Sequence, residues 1–294
     1  MNKTLYTRTD LAVEFAKEVT PVGAEYREER RDGCDILRLS IDTKARSEAY
    51  GKPEGKYVTI TCGRIWDMDD ARLDEICDVI SRELREMAES MTGKKIDRNF
   101  GVLVAGLGND EITPDAIGPE TVRRVEVTRH IRTLLPDIYK ELECCEMSAL
   151  APGVLGQTGI ETVELVRGAA ENAHPDLVVA IDALAARAIS RLAATIQLSD
   201  NGINPGSGIG NMRRSICRET VGVPVLALGV PTVVNSSTLV YDALSRAGIE
   251  NISDDLKEVL EDGRDFFVAP KESDIIMKKV SALLARAVGR AFSV

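Results

Sequence analysis

Hydrophobic residues recur along this chain in two distinct periods, and the periods separate predicted strands from predicted helices. Residues 33–41 alternate apolar and polar side chains, and residues 56–62 are rich in β-branched types, so each segment predicts a strand. Three nearly continuous apolar runs are typical of strands that are buried on both faces of a parallel sheet. These runs span residues 99–109, 175–186 and 221–234.

Apolar residues spaced three and four positions apart predict helices between and after these strands. The predicted helices span Asp69–Met91, Glu120–Leu135, Ile160–Asn172, Ala183–Ala193 and Lys271–Ala291. Strands that alternate with helices predict an α/β fold, with helices on both faces of a mainly parallel sheet. The acidic stretch 247–265 is interpreted as a surface insertion.

The composition narrows the class of protein. The 294 residues are 44 % apolar, which is enough for the core of one large domain or two small ones. The sequence has no apolar run of about 18 residues and no signal-peptide pattern, so we expect an intracellular protein without a membrane span. A net charge of −10 disfavours direct binding to nucleic acid or to anionic membranes, because like charges repel.

The residue types that most often bind metals are few and scattered. The six cysteines include no CxxC pair, so we expect free thiols that pack as small buried side chains. The two histidines, His130 and His174, fall in a predicted helix and at a helix-to-strand turn. Either could join carboxylates at a metal site, but a surface or capping role is the commoner one. The sequence therefore predicts no cofactor.

Two aspartates follow buried strands of the predicted sheet. Asp115 comes after the first apolar run, within TPDAIGP, and Asp182 ends the LVVAID stretch of the second. Because parallel strands bring their carboxyl ends to one edge, we expect the two carboxyls to lie close together. Neighbouring carboxylates cannot both ionise cheaply, so one keeps its proton and the pair supplies an acid and a base. Such a pair can activate water against an amide carbonyl, directly or through a metal.

Each of these residues also has a structural interpretation. Asp115 could cap the helix that follows it, and Asp182 could pair with Arg187. The glycines of GLGN, residues 106–109, partly match a dinucleotide-binding GxGxxG, but Glu111 stands where the third glycine belongs. A tight turn after the strand is the alternative interpretation of these glycines.

Several long motifs resemble those of the germination proteases of spore-forming bacteria. The most specific are GLGNDEITPDAIGP, SALAPGVLGQTGIET, PDLVVAIDALAARAISRLAATIQLSDNGINPGSGIGN and VPVLALGVPTVV, and shorter matches are RTDLAVE and KYVTI. The resemblance covers most of the chain and weakens at residues 23–50 and 245–265.

The resemblance implies an endopeptidase of the spore-core cytoplasm that degrades small acid-soluble spore proteins during germination. Such proteases are made as zymogens, remove a short N-terminal segment of their own chain and form homotetramers. The implied fold is a three-layer α/β/α sandwich similar to that of the hydrogenase-maturation endopeptidases. By motif match, the family's two key aspartates fall on Asp115 and Asp182. In the metal-binding relatives the corresponding carboxylates hold a metal.

The resemblance gives a second meaning to TDLAVEFAKE, residues 9–18. By itself the segment predicts a small amphipathic helix. The family cuts after an acid that is followed by an apolar residue, alanine, any residue and glutamate, which matches the bond between Asp10 and Leu11. EFAKE offers a second bond of this kind after Glu14.

We therefore expect a propeptide over residues 1–10 and a single α/β peptidase domain over residues 11–294. Two rival interpretations stay open. One is a metal-dependent maturation-type endopeptidase, in which a histidine joins the aspartates. The other is a non-enzymatic, nucleotide-binding protein built on the same sheet.

Overall fold

A mixed β-sheet organises the part of the chain that the structure describes. This computed structural model describes residues 9–16, 26–206, 213–249, 252–262 and 266–294. Within these ranges the strands are β1 Tyr26–Arg31, β2 Cys34–Ile41, β3 Gly55–Thr61, β4 Gly101–Gly106, β5 Glu146–Leu150, β6 Leu177–Ala186, β7 Thr195–Ser199, β8 Val225–Asn235 and β9 Phe267–Val268. Their order across the sheet is β1-β2-β3-β7-β8-β6-β4-β5, and β9 pairs with β8.

Helices of very different lengths connect these strands. Within the described ranges they are α1 Ala12–Ala16, α2 Lys44–Tyr50, α3 Asp70–Thr92, α4 Ile117–Val122, α5 Arg129–Leu134, α6 Pro136–Glu141, α7 Leu155–Thr158, α8 Thr162–Ala173, α9 Arg218–Val221, α10 Ser236–Arg246, α11 Asp254–Asp262 and α12 Ser273–Ala291. Helix α3 begins where the carboxylate of Asp69 accepts the N–H of Arg72, and it ends at the left-handed Gly93. Of the helices described, none has the length and apolar character needed to cross a bilayer.

Strand β4 illustrates why the apolar runs in the sequence are nearly continuous. Val102 and Val104 pack into a core that also contains the buried faces of α3 and α12. Leu103 and Ala105 point to the other side and pack into a second core with α8. Both faces of the strand are therefore buried, which requires apolar residues at every position.

The sheet is mixed, so the prediction of a mainly parallel sheet is wrong. In the described residues, parallel pairing joins β5, β4, β6 and β8. Antiparallel pairing joins β1 to β2, β2 to β3, β3 to β7, β7 to β8, and β8 to β9. The unpredicted strand β7 lies between the two parts and runs antiparallel to both of its neighbours.

Two of the predicted helices differ from the structure. The segment 183–193 is not an α-helix, because β6 continues through Ala186 in pairing with β8, with a register shift after Leu184. Only Ile189–Arg191 within it forms a short 3-10 helix. Pairing with β8 outweighs the helix propensity of these alanines. The segment 120–135 is interrupted between Val122 and Arg129, where the N–H of Thr128 donates to the carbonyl of Met147 instead.

Most of the other long elements agree with the sequence pattern, but helix α10 was not predicted. Helices α3, α8 and α12 and strands β2, β3, β4, β6 and β8 fall where the periodicity predicts them. The stretch 247–265 holds α11. All six cysteines are free thiols, and four of them are buried, which confirms the interpretation of the cysteines.

The end of α12 is fixed by an aromatic contact that can be tested. Phe292 is fully buried and stacks on Phe100 with a centroid distance of 6.2 Å. Phe292→Ala should lower the free energy of unfolding by roughly 3–5 kcal/mol, because it leaves a cavity. Phe266→Ala is the matched control, since Phe266 is 69 % exposed, and it should change the value by at most about 0.5 kcal/mol. Urea-induced unfolding measures both, and equal losses would contradict this assignment of the core.

Candidate active site

A cleft lies where β6 extends beyond its neighbour β4. The last residue of β4, Gly106, pairs with Ile181, so Asp182 is the first residue of β6 past the end of β4. Strand β6 continues to Ala186 because β8 still pairs with it. The cleft has a volume of about 1250 Å³, and both Asp115 and Asp182 line it. The structure thus brings together the two aspartates selected from the sequence, with Asp182 inside its strand rather than after it.

The loop between β4 and α4 holds Asp115 in the cleft. Its carboxylate accepts the backbone N–H of Asn109 at 2.7 Å. Gly108 has φ +112°, and a Cβ there would lie 2.0 Å from the carbonyl oxygen of Asp115. The glycines of GLGN therefore permit a tight turn against Asp115, as their alternative interpretation supposed. The residue that caps α4 is Ala116, so Asp115 does not serve as the N-cap of that helix.

Burial controls the protonation of both carboxyls. It raises the pKa of Asp115 above its ordinary value, and the hydrogen bond from Asn109 opposes this shift. Asp182 is 5 % exposed, and its burial raises its pKa well above the ordinary range. The charges of Asp115 and Asp10 raise the pKa of Asp182 further, while the N–H of Ala183 lowers it. Asp182 is therefore the carboxyl that holds its proton more strongly.

The N-terminal segment Thr9–Glu14 packs beside this cleft, and its Asp10 lines the cleft. The N–H of Asp10 donates to the carbonyl of Ala185 at 2.8 Å, and the N–H of Ala185 donates to the carboxylate of Asp10 at 2.8 Å. On the other side, the ammonium of Lys52 donates to the carbonyl of Thr9 at 3.0 Å. Leu11 is fully buried. The segment is therefore held by backbone contacts and by a buried apolar side chain.

The carboxylate of Glu14 occupies a pocket of its own. It accepts the backbone N–H groups of Arg187 at 2.8 Å and Ala188 at 2.9 Å. The guanidinium of Arg191 lies 3.7 Å away, and the hydroxyl of Thr9 donates a hydrogen bond to the same carboxylate. The Glu14 side chain is 6 % exposed. Amide donors and a nearby guanidinium make this pocket selective for an acid.

Gln197 of β7 contacts the segment on both sides of Leu11. Its Nε2 donates to the carbonyl oxygen of Asp10 at 3.1 Å, and its Oε1 accepts the N–H of Ala12 at 2.7 Å. Gln197 is buried, with 8 % of its surface exposed. The peptide bond between Asp10 and Leu11 therefore lies between the two hydrogen bonds of one amide side chain.

The other candidates from the sequence lie elsewhere. His130 and His174 are exposed, and neither lines the cleft. The guanidinium of Arg187 lies 3.5 Å from the carboxylate of Asp242. Arg187 therefore pairs with Asp242 and not with Asp182, the partner that one interpretation of the sequence had suggested. In the described part of the chain, no group of three or more His, Cys, Asp or Glu side chains is arranged to hold a metal.

Sequence reasoning missed Gln197 and Lys52. Lys52 lies in a polar stretch between the strands predicted at residues 33–41 and 56–62, and it comes near Asp10 only through the fold. Gln197 stands between Ile196 and Leu198 in a strand that was not predicted. An amide side chain inside an apolar run was the available signal, because a buried amide needs hydrogen-bond partners.

Comparison with known proteins shows the family to which the chain belongs. The sequence profile of the germination protease family matches residues 4–247. The germination protease of Caldanaerobacter subterraneus subsp. tengcongensis is 38 % identical over 309 residues, covering 97 % of this chain and 93 % of that protein. The germination protease of Clostridium perfringens is 36 % identical, covering 96 % and 93 %. The Bacillus subtilis protein of that name is 42 % identical over 81 % of this chain and 66 % of its own length.

These matches place the chain among the proteases, which are hydrolases. It belongs to the germination protease family. This finding confirms the resemblance drawn from the long sequence motifs.

The raised pKa of Asp182 predicts how stability depends on pH. Because the folded pKa lies above the unfolded value of about 3.9, the wild-type protein loses stability as pH rises through the folded pKa. Asp182→Asn cannot ionise and escapes this loss. The Tm of the variant relative to wild type should therefore increase from about pH 4 to pH 8 in thermal melts. Asp137→Asn, at a side chain that is 93 % exposed, is the control. A difference for Asp182→Asn that stays flat with pH would contradict the assignment.

Proposed function

We propose that the chain is a zymogen that cuts itself after Asp10 and then acts on small acid-soluble spore proteins during germination. One observation carries this proposal: the segment Thr9–Glu14 is bound beside the cleft, and its Asp10 lines the cleft together with Asp115 and Asp182. Its sequence, TDLAVE, has the acid, apolar residue, alanine and glutamate expected of a substrate. On this proposal, the protein holds its own substrate in its active site.

The two aspartates divide the acid and base roles according to their burial. Asp115 is the less buried carboxyl and ionises first, so it takes a proton from the attacking water. The water oxygen bonds to the carbonyl carbon of Asp10, and the bond to the nitrogen of Leu11 then breaks. Asp182 keeps its proton longer and donates it to that nitrogen. A proton transfer from Asp115 to Asp182 restores the starting state.

The register of the segment favours the bond after Asp10 over the bond after Glu14. The carbonyl of Asp10 is bound by Gln197, and the charge of Asp10 acts on Asp182. Glu14 is bound instead through its side chain, in the pocket formed by the turn after β6. The two acids therefore fill two subsites, one before the cut and one four residues after it.

Other properties of the family extend the proposal. We expect residues 1–10 to be the propeptide and residues 11–294 to be one peptidase domain. We also expect the protein to form a homotetramer in the cytoplasm of the spore core. We expect its layers to follow the three-layer α/β/α arrangement of the hydrogenase-maturation endopeptidases. Adding a chelator to the self-processing measurement separates this mechanism from a metal-dependent one, because only the metal-dependent enzyme would be inhibited.

The aspartate pair can be tested by self-processing. Intact-mass measurement of the full chain over time should show loss of the first ten residues. Asp115→Asn and Asp182→Asn should each slow this loss by at least about 10²-fold, because each removes one proton carrier. Asp137→Asn is the control and should process at the wild-type rate. Processing of either active-site variant near the wild-type rate would overturn the two-aspartate mechanism.

The choice between the two bonds can be tested with two matched variants. Glu14→Gln removes the charge from the pocket near Arg191, and it should slow the cut after Asp10 by roughly 10-fold to 100-fold. Glu18→Gln leaves DLAVE intact and should have no effect. N-terminal sequencing of the product should begin at Leu11. If the product begins at Phe15 and Glu18→Gln slows processing, the cut falls after Glu14 instead.

A further inference from the structure

Gln197 and Asp182 face each other across a glycine. In the sheet register, Asp182 of β6 pairs with Gly229 of β8, and Gly229 pairs with Gln197 of β7. Residues paired across neighbouring strands point to the same face of a sheet. Two strand spacings, roughly 10 Å in total, therefore separate the backbones of Asp182 and Gln197. Because Gly229 has no side chain, Leu184 can pack directly over it, where a Cβ would lie 2.4 Å from Leu184 Cδ1.

The N-terminal segment bridges β6 and β7 through hydrogen bonds to both strands. On the β6 side, Ala185 exchanges two hydrogen bonds with Asp10. On the β7 side, Gln197 binds the carbonyl oxygen of Asp10 and the N–H of Ala12. The amide of Gln197 therefore binds the carbonyl of the bond proposed to be cut, while Asp182 on β6 lies near enough to feel the charge of Asp10.

Resting on the proposed function, we infer that Gln197 binds the oxyanion of the reaction and sets the register of the substrate backbone. When water adds to the carbonyl carbon of Asp10, negative charge develops on the carbonyl oxygen. The Nε2–H group of Gln197 already donates to that oxygen and stabilises the charge. The Oε1 atom holds the N–H of Ala12, so the peptide bond cannot slide along the cleft.

The chemistry of the amide suits this place. One planar group offers a donor and an acceptor with fixed geometry, which matches the C=O of Asp10 and the N–H of Ala12 on the same backbone. The group is neutral, so it adds no charge to a cleft that already holds the carboxyls of Asp115, Asp182 and Asp10. Because both contacts are to backbone atoms, they apply to any substrate sequence. Selection of the sequence is left to the pocket of Glu14 and the burial of Leu11.

The two contacts of Gln197 can be separated by substitution. Gln197→Glu keeps an acceptor oxygen and loses the donor, while Gln197→Leu loses both. Both should slow self-processing of the full chain by roughly 10²–10³-fold. Thr195→Val is the matched control, because Thr195 is buried two residues earlier on β7 and its hydroxyl hydrogen-bonds no described residue. It should process at the wild-type rate.

A backbone substitution tests the second contact directly. Incorporating lactic acid at position 12 of the full chain turns the amide after Leu11 into an ester and deletes the N–H that Gln197 accepts. This change should slow processing roughly fivefold to tenfold in the wild-type protein and in Gln197→Glu. It should cause no further slowing in Gln197→Leu. A general loss of stability cannot imitate this pattern, because each comparison is made within one variant.

The outcomes separate the inference from the proposed function. Suppose that the wild-type chain processes after Asp10 and that both Gln197 variants process within threefold of its rate. This result would overturn the inference and leave the proposed function standing. Equal slowing by the ester in wild type and in Gln197→Leu would overturn the register role. A wild-type chain that never processes would overturn the proposed function, and the inference with it.

Discussion

The cost of burying Asp182 is the constraint on which the site depends. A carboxyl inside a β-strand resists ionisation, and it becomes useful only where the sheet opens enough to admit water or a peptide. Strand β6 provides that opening by extending past β4 while β8 continues to support it. The turn at Gly108 then brings Asp115 to the same cleft. The reactive geometry follows from the unequal lengths of two neighbouring strands.

The same backbone groups serve both stability and recognition. Past the end of β4, Ala185, Arg187 and Ala188 donate their N–H groups to the two carboxylates of the N-terminal segment. Buried amides of this kind require acceptors. On the proposed function, an acidic peptide that meets this requirement would be selected by the groups that complete the fold.

The sequence predicted the apolar strands and the two aspartates because both depend on local pattern. It predicted a helix after Asp182, since a run of alanines has helix propensity and gives no sign of pairing with β8. It also missed β7, and therefore Gln197, because that strand takes its place between β3 and β8 only through long-range pairing. The wrong prediction of a mainly parallel sheet followed from the same omission, because β7 pairs antiparallel with both of its neighbours. The acids of TDLAVE are visible in the sequence. Their contacts are not, because they depend on the fold, which brings the N-terminal segment against β6.

The full burial of Leu11 has a consequence for the state that follows the proposed cut. Hydrolysis would turn the nitrogen of Leu11 from an amide into an ammonium group, next to a side chain that has no exposed surface. A new positive charge is poorly tolerated in an apolar pocket and is drawn toward water. The new chain end would then leave the apolar pocket for water or for the carboxyls that line the cleft. Cleavage would in this way clear the site and make it accessible to other chains.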